Sequence, residues 1–370
     1  VDRTAAREAR RRADANRRRT RRRRVLGAAL AALIALAVTL AVALPGHGDR
    51  SRSGASASSV PSTPSGSQAP GSPPAPQPQG SPPHAPYAVG VRVLRLVDQS
   101  RTVELPSGRS PRTLMTIVRY PALGTASTRD LAGAPAARAA GPFPLVVFGH
   151  GFAVTPGLYA ALLHTWAQAG YVVAAPVFPL EQANAPGGPD ESDLVNQPQD
   201  MRFVISRMLA ASATSGTALG GLVDARRIAV AGQSDGGETA LAVAYDTPFR
   251  DPRVRAAVIL SGAKIPGIGF AFPAHGSPPL LATQGNLDTV NPPSFTHAFY
   301  DSAPRPKYLL DLPGASHLPP YSTQQPQLGI VERVTIAFFR AYLGGAGGGA
   351  AQRIAALGNV PGVATLSAQP

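Results

Sequence analysis

The chain has 370 residues, 44% of them hydrophobic, no cysteine and a formal charge of +14. Without cysteine there is no disulfide, no thiolate nucleophile and no lipidated cysteine, and a chain this long can bury a large core without them. The charge is badly placed for a nucleic-acid binder. Residues 1–86 hold 14 Arg against 4 acids, a net of +10, whereas residues 87–370 hold 21 Lys and Arg against 17 acids, a net of +4; a basic binding face would need the excess on the folded part.

Residues 1–24 contain twelve arginines. Alone, such a run reads as a disordered basic arm, but it stands directly before Val25–Leu44, twenty residues in which only Thr39 is polar. As a helix, that segment matches the thickness of a bilayer's hydrocarbon core, and arginines before it keep the amino end in the cytoplasm. The expectation is an Arg-rich cytoplasmic tail at 1–24 and a transmembrane signal-anchor at 25–44, with the rest of the chain outside. A cleaved signal peptide competes: Ala41-Val42-Ala43 fits a small-residue cleavage site, and Arg23-Arg24-Val25-Leu26 loosely resembles a twin-arginine signal, either of which implies a secreted body. Residues 45–86 are rich in Pro, Ser and Gly. They hold too few apolar residues to offset ordering entropy and read as a disordered linker.

The folded body is expected over 87–343. Val89–Val97, Thr102–Leu105 and Thr113–Tyr120 read as an opening meander of strands. Leu145–Phe148, Tyr171–Ala175, Ile228–Ala231, Val254–Leu260, Leu280–Thr283 and Tyr308–Leu312 are short apolar strands. Helical segments over Pro156–Gln168, Gln199–Ala211, Glu238–Tyr245 and Gly329–Leu343 alternate with them. Continuous apolar strands alternating with helices indicate an α/β fold: a mostly parallel sheet covered by helices on both faces. The inserts Glu181–Pro198 and Lys264–Pro278 are too short for a large cap domain. Residues 344–370, opening on a Gly-rich break, read as a C-terminal tail that docks as a short helix or stays loose.

Gly232-Gln233-Ser234-Asp235-Gly236 lies between an apolar strand and a helix. A nucleophile elbow needs this context: a turn tight enough to lift the serine hydroxyl above the sheet, with glycines where side chains would collide. A serine alcohol needs a base, and the base an orienting carboxylate. Asp288 and His317 follow in that order, each just after a predicted strand, where catalytic groups of parallel sheets collect. Asp301 and Asp311 are rival acids, the first at a helix end and the second inside a strand. His164, His275 and His297 are rival bases; His164 and His297 lie in predicted helices, and His275 precedes the acid. Upstream, Phe148-Gly149-His150-Gly151-Phe152 ends a strand with small residues. The backbone N–H groups of Phe152 and Asp235 are the expected oxyanion-hole donors, with His150 bracing the loop. Asp200 is expected to cap or pair charge, and Asp235 and Glu238 to favour the positive end of the elbow helix. No His pair has ligand spacing and no phosphate loop occurs, so neither a metal nor another cofactor is expected.

With these residues the body resembles the α/β-hydrolase superfamily. The carrying segments are Leu145–Phe152, Gly170–Pro176, Asp200–Ile205, Arg227–Gly237 and Gly314–His317. Within the superfamily they look like the branch of dienelactone-hydrolase-like proteins, platelet-activating-factor acetylhydrolases and bacterial polyester hydrolases. The resemblance implies a lipase-like serine esterase acting on small or polymeric esters. Two departures stand out: dienelactone hydrolases proper use a cysteine, absent here, and many relatives carry His where this chain has Gln233. An acyltransferase at the cell envelope is the alternative, a non-catalytic surface module a third. Phe152, Trp166, Phe178, Phe270 and Phe272 are candidate apolar walls or core. Neither oligomeric state nor acyl length is legible.

Overall fold

The computed structural model describes residues 86–266, 268, 276–344 and 349–370. The expected tail, membrane anchor and most of the linker, at 1–85, lie outside the described residues, as do Phe270, Phe272 and His275. Among the described residues no helix is long and apolar enough to cross a membrane.

Among the described residues ten strands form one sheet. β1 (Ala88–Leu105) and β2 (Gly108–Ala122) make a long antiparallel hairpin, and β3 (Asp130–Ala132) runs parallel to β1 at its outer edge. β2 pairs antiparallel with β5 (Val172–Val177). From there β5, β4 (Phe143–Gly149), β6 (Val223–Gln233), β7 (Val254–Leu260), β8 (Leu280–Gly285) and β9 (Lys307–Leu312) lie side by side and parallel. β10 (Thr365–Gln369) closes the far edge, antiparallel to β9.

Two expectations are corrected here. The opening meander is two strands, because the break after Val97 is a bulge and not a turn: the register steps from Asp98↔Arg112 to Thr102↔Pro111. The Asp98 carboxylate holds the extra residues, accepting from Ser100 N (3.0 Å), Ser100 Oγ (2.6 Å) and Arg101 Nε (2.7 Å). Pro111, which has no N–H to offer a ladder, stands where the ladder is already broken. For the segment after the Gly-rich break, the docked short helix holds and the loose tail does not, and a strand that was not expected follows it. The segment forms α6 (Ala350–Gly358) and then β10, burying Ile354 and Leu366 and covering what would otherwise be an open strand edge at β9. The described residues between Pro86 and Pro370 therefore belong to one compact unit.

Side chains alternate along the central strands, so both faces are buried. On one face Leu145, Val147, Ile228, Val230 and Ala257 meet Met201, Val204, Ile205 and Met208 of α2 (Gln197–Ala213), Leu241 of α3 (Asp235–Tyr245) and Phe299 of α4 (Pro293–Ser302). On the other, Val146, Phe148, Ala229, Ala231 and Val258 meet Trp166 of α1 (Ala160–Gln168) and Phe338 and Phe339 of α5 (Gln327–Leu343). Trp166 is wholly buried, its indole N–H donating to Thr335 Oγ1 at 2.8 Å; it is core and not a wall of the site. Asp200 pairs charge as expected: with Asp193 it holds the buried Arg112 guanidinium by contacts of 2.6–2.9 Å, tying the 181–198 insert to the hairpin.

Candidate active site

The chemistry gathers at the carboxyl ends of β4, β6, β7, β8 and β9. Ser234 connects β6 to α3 with φ 56°, ψ −121°, a conformation that costs a non-glycine residue about 1–3 kcal/mol. Backbone bonds hold it there. Ser234 N donates to Leu260 O (3.0 Å), and Ser234 O accepts from Gly237 N (2.9 Å), Glu238 N (3.1 Å) and Ala263 N (3.0 Å). The glycines of the motif are steric necessities. A Cβ on Gly232 would fall on the Gly236 carbonyl, and one on Gly236 on the Gly149 carbonyl. The elbow and the β4 loop are thereby pressed backbone to backbone.

Asp288 and His317 come together with Oδ2 to Nδ1 at 2.7 Å. The Asp288 carboxylate is saturated: Oδ1 accepts from Val290 N (2.9 Å) and Asn291 N (2.8 Å), and Oδ2 also accepts from Gln284 Nε2 (3.1 Å). Burial alone would raise the carboxyl's pKa, but the His317 bond and charge and these donors outweigh it and hold it below the ordinary carboxylate range. The rival residues have partners of their own. His164 bonds Asp130 (2.7 Å) and the Ser127 carbonyl (2.9 Å), and His297 pairs with Asp311 (2.9 Å). Asp301 accepts from Lys307 only through its backbone carbonyl, at 2.9 Å.

Among the described residues no hydrogen bond joins Ser234 Oγ to His317 Nε2; such contacts commonly tighten only with substrate bound. Each reacting atom is instead met by a side-chain amide. Asn291 Nδ2 donates to Ser234 Oγ at 3.2 Å. Gln233 Nε2 lies 3.1 Å from His317 Nε2 and also donates to the His317 carbonyl at 3.1 Å. Only an N–H can make the second bond, so the amide donates to Nε2 as well, leaving the ring proton on Nδ1 toward Asp288. That is the tautomer of a general base. Gln233 is itself oriented by the Tyr159 hydroxyl, which donates to Oε1 at 2.7 Å and accepts from Gly151 N at 3.3 Å. The sequence marks Gln233 only as a departure from the His of many relatives and singles out neither Tyr159 nor Asn291 for the site. The available signal for Asn291 was its place three residues after the acid, within reach of an aspartate-centred turn. Gln233→Leu should cost about 1–3 kcal/mol by leaving the buried Tyr159 hydroxyl without its acceptor, a loss readable in urea unfolding.

The β4 loop carries the expected oxyanion residues. Gly151 packs so closely on the elbow that an added Cβ would stand 3.1 Å from Ser234 Cβ. Among the described residues the Phe152 N–H bonds no acceptor, whereas Ala153 N, next along, is tied to Glu181 O at 2.8 Å. His150 is the brace the sequence suggested. Its wholly buried ring donates from Nδ1 to Gly151 O (2.8 Å) and accepts at Nε2 from Phe178 N (3.0 Å). Phe178 is buried against that ring, 4.9 Å between centroids. Burial, opposed by the Gly151 bond, lowers the imidazole pKa from 6.5 to about 4. The unfolded chain therefore binds the extra proton first. Stability is fully present above pH 6.5 and should fall by up to about 3 kcal/mol as pH drops toward 4. Urea titrations across that window should show the loss in the native chain and a flatter dependence in His150→Gln.

Glu238 lies in the first turn of α3, as expected, and also holds the loop after β7. Its buried carboxyl accepts from Ile265 N (2.8 and 2.9 Å), and burial raises its pKa to about 9. The Ile265 N–H opposes that rise by favouring the charged form.

Sheet, elbow, acid and histidine follow one another in the order of the α/β-hydrolase fold. A sequence-family profile described as Chlorophyllase matches residues 123–260, which hold the β4 loop and the elbow but not Asp288 or His317. Among solved structures, the ferulic acid esterase from Streptomyces cinnamoneus superposes with a TM-score of 0.54 at 24% identity, over 73% of this chain and 94% of that one. No curated protein matches by sequence. The family match, the shared fold and the chemistry of the site support a carboxylic ester hydrolase.

Proposed function

We propose that the chain hydrolyses carboxylic esters through an acyl-enzyme on Ser234. The carrying observation is the strained elbow serine beside an Asp288–His317 pair whose tautomer leaves Nε2 as the base. His317 Nε2 takes the Ser234 proton as Oγ attacks the acyl carbonyl, then delivers it to the leaving alcohol. Asp288 orients the ring and stabilises its charged form. Phe152 and Asp235 N–H groups receive the developing oxyanion, a contribution of about 3–4 kcal/mol per donor. Water then cleaves the acyl-enzyme by the reverse proton path.

Leu287 and Val290, 59% and 50% exposed, flank the acid on its loop. This open apolar rim favours hydrophobic short or medium acyl esters, or an extended polyester, over charged substrates. Nitrophenyl esters of graded acyl length, beside an ester of ferulic acid, test this reading. A profile rising with apolar length supports the rim, whereas no turnover of any ester, with no labelling by a serine-reactive phosphonate, overturns the assignment. Transfer of the acyl group to added alcohols in preference to water would point to the acyltransferase instead. The arginine run before the apolar segment 25–44 supports a catalytic domain exported and tethered at the outer membrane face. Recovery of the full chain in the soluble cytoplasmic fraction of cells would overturn that placement.

A further inference from the structure

The contact between Asn291 and Ser234 has a direction and a side. Asn291 is 7% exposed, and both its backbone N–H and its side-chain nitrogen are held. Its backbone N–H donates to the acid, and Nδ2 donates to Ser261 O at 2.9 Å as well as to Ser234 Oγ at 3.2 Å. The Ser261 carbonyl can accept only from N–H, so Nδ2 and not Oδ1 meets Oγ. Ser261 is held in turn, at φ 46°, with its hydroxyl bonded to the Tyr321 hydroxyl at 2.9 Å. In the sheet order β8-β7-β6-β4, Ser261 follows β7 and Asn291 follows β8, whereas the oxyanion loop follows β4. Asn291 therefore comes from the side of β6 opposite the β4 loop that carries Phe152, while Asp235 follows β6 itself. The Asn291 amide is a separate donor, aimed at the serine oxygen and not at the carbonyl oxygen.

A neutral donor at that place has little to offer while Oγ is a hydroxyl, and more when Oγ carries charge as a leaving group. Resting on the serine-esterase reading above, we propose that Asn291 is a catalytic residue of deacylation. Water attacks the acyl carbonyl and gives its proton to His317 Nε2. The tetrahedral intermediate then collapses: the bond from carbon to Oγ breaks, its electron pair stays on Oγ, and Oγ takes the proton from Nε2 as the carboxylic acid departs. Asn291 Nδ2–H donates to Oγ throughout that bond cleavage and gives up no proton.

The test is stopped-flow hydrolysis of 4-nitrophenyl butyrate by the full chain and by Asn291→Ala and Asn291→Ser. Neither variant places an atom where Nδ2 stands, and a urea midpoint close to native in either one separates lost catalysis from misfolding. Nitrophenolate leaves readily, so the burst reports acylation and the steady state deacylation. Both variants should keep the burst rate, and kcat and KM should fall together by about tenfold to a hundredfold, no more than the loss of an oxyanion donor. Because kcat/KM reports acylation, it should stay within about threefold. A burst slowed in step with kcat, or kcat/KM falling as far as kcat, overturns the proposal and makes Asn291 a packing residue. An unchanged kcat overturns it equally. A native chain that hydrolyses no ester and takes up no serine-reactive phosphonate would instead sink the serine-esterase reading on which it rests.

Discussion

Replacing Ser234 by alanine should reduce ester hydrolysis by roughly 10⁴- to 10⁶-fold, the scale on which a triad nucleophile acts. The substitution removes one oxygen from a position whose backbone is held independently of it. Ser234 N and O make four main-chain hydrogen bonds that alanine keeps. Alanine also retains the positive φ no worse than serine does, so unfolding should change little and the loss should fall on kcat. Mass spectrometry gives a second reading: a fluorophosphonate should add to the native chain once and to the alanine variant not at all. Residual activity within a hundredfold of native would remove Ser234 from the mechanism.

Asp288→Asn is expected to cost about 10³- to 10⁴-fold in kcat, and the geometry says why. Oδ1 receives two backbone N–H groups, from Val290 and Asn291. In the asparagine variant that position must remain the carbonyl oxygen, so the new NH₂ points at His317 Nδ1. The ring must then accept at Nδ1 and carry its proton on Nε2, where it can no longer take the serine proton. The same tautomer presses an N–H against the Gln233 amide, which donates to Nε2 in the native chain. An acid placed only for electrostatics would show a milder loss. A rate within tenfold of native on an activated ester would show that another carboxylate orients the base. The pH dependence of kcat separates the cases further, because the variant's base is in the wrong tautomer at every pH.

Much of this was readable along the chain because it depends on neighbours in sequence. The elbow announces itself by glycines two before and two after the serine, and the structure shows both facing carbonyls that admit no Cβ. The central strands are continuous apolar runs because both their faces are buried, and their ends were legible within a few residues. Asp288 and His317 could be ranked above their rivals by chain order together with their places just after predicted strands. The opening hairpin was not legible, since Asp98, Ser100 and Arg101 have turn-forming chemistry yet bind one another across a bulge. The last strand was hidden by a Gly-rich approach, and only the open edge of β9 gives Thr365–Gln369 a reason to pair.

The amino-acid sequence by itself determined the alternation of strands and helices, the strained turn and the order of nucleophile, acid and base, because each is written in local spacing and steric need. Only the tertiary structure decided which atoms meet. Gln233 on His317 Nε2, Tyr159 behind Gln233, and Asn291 on Ser234 Oγ join residues 84, 74 and 57 positions apart. Nothing in the local chemistry of an amide specifies its partner; the partner is set by which loops the parallel sheet delivers to the same edge.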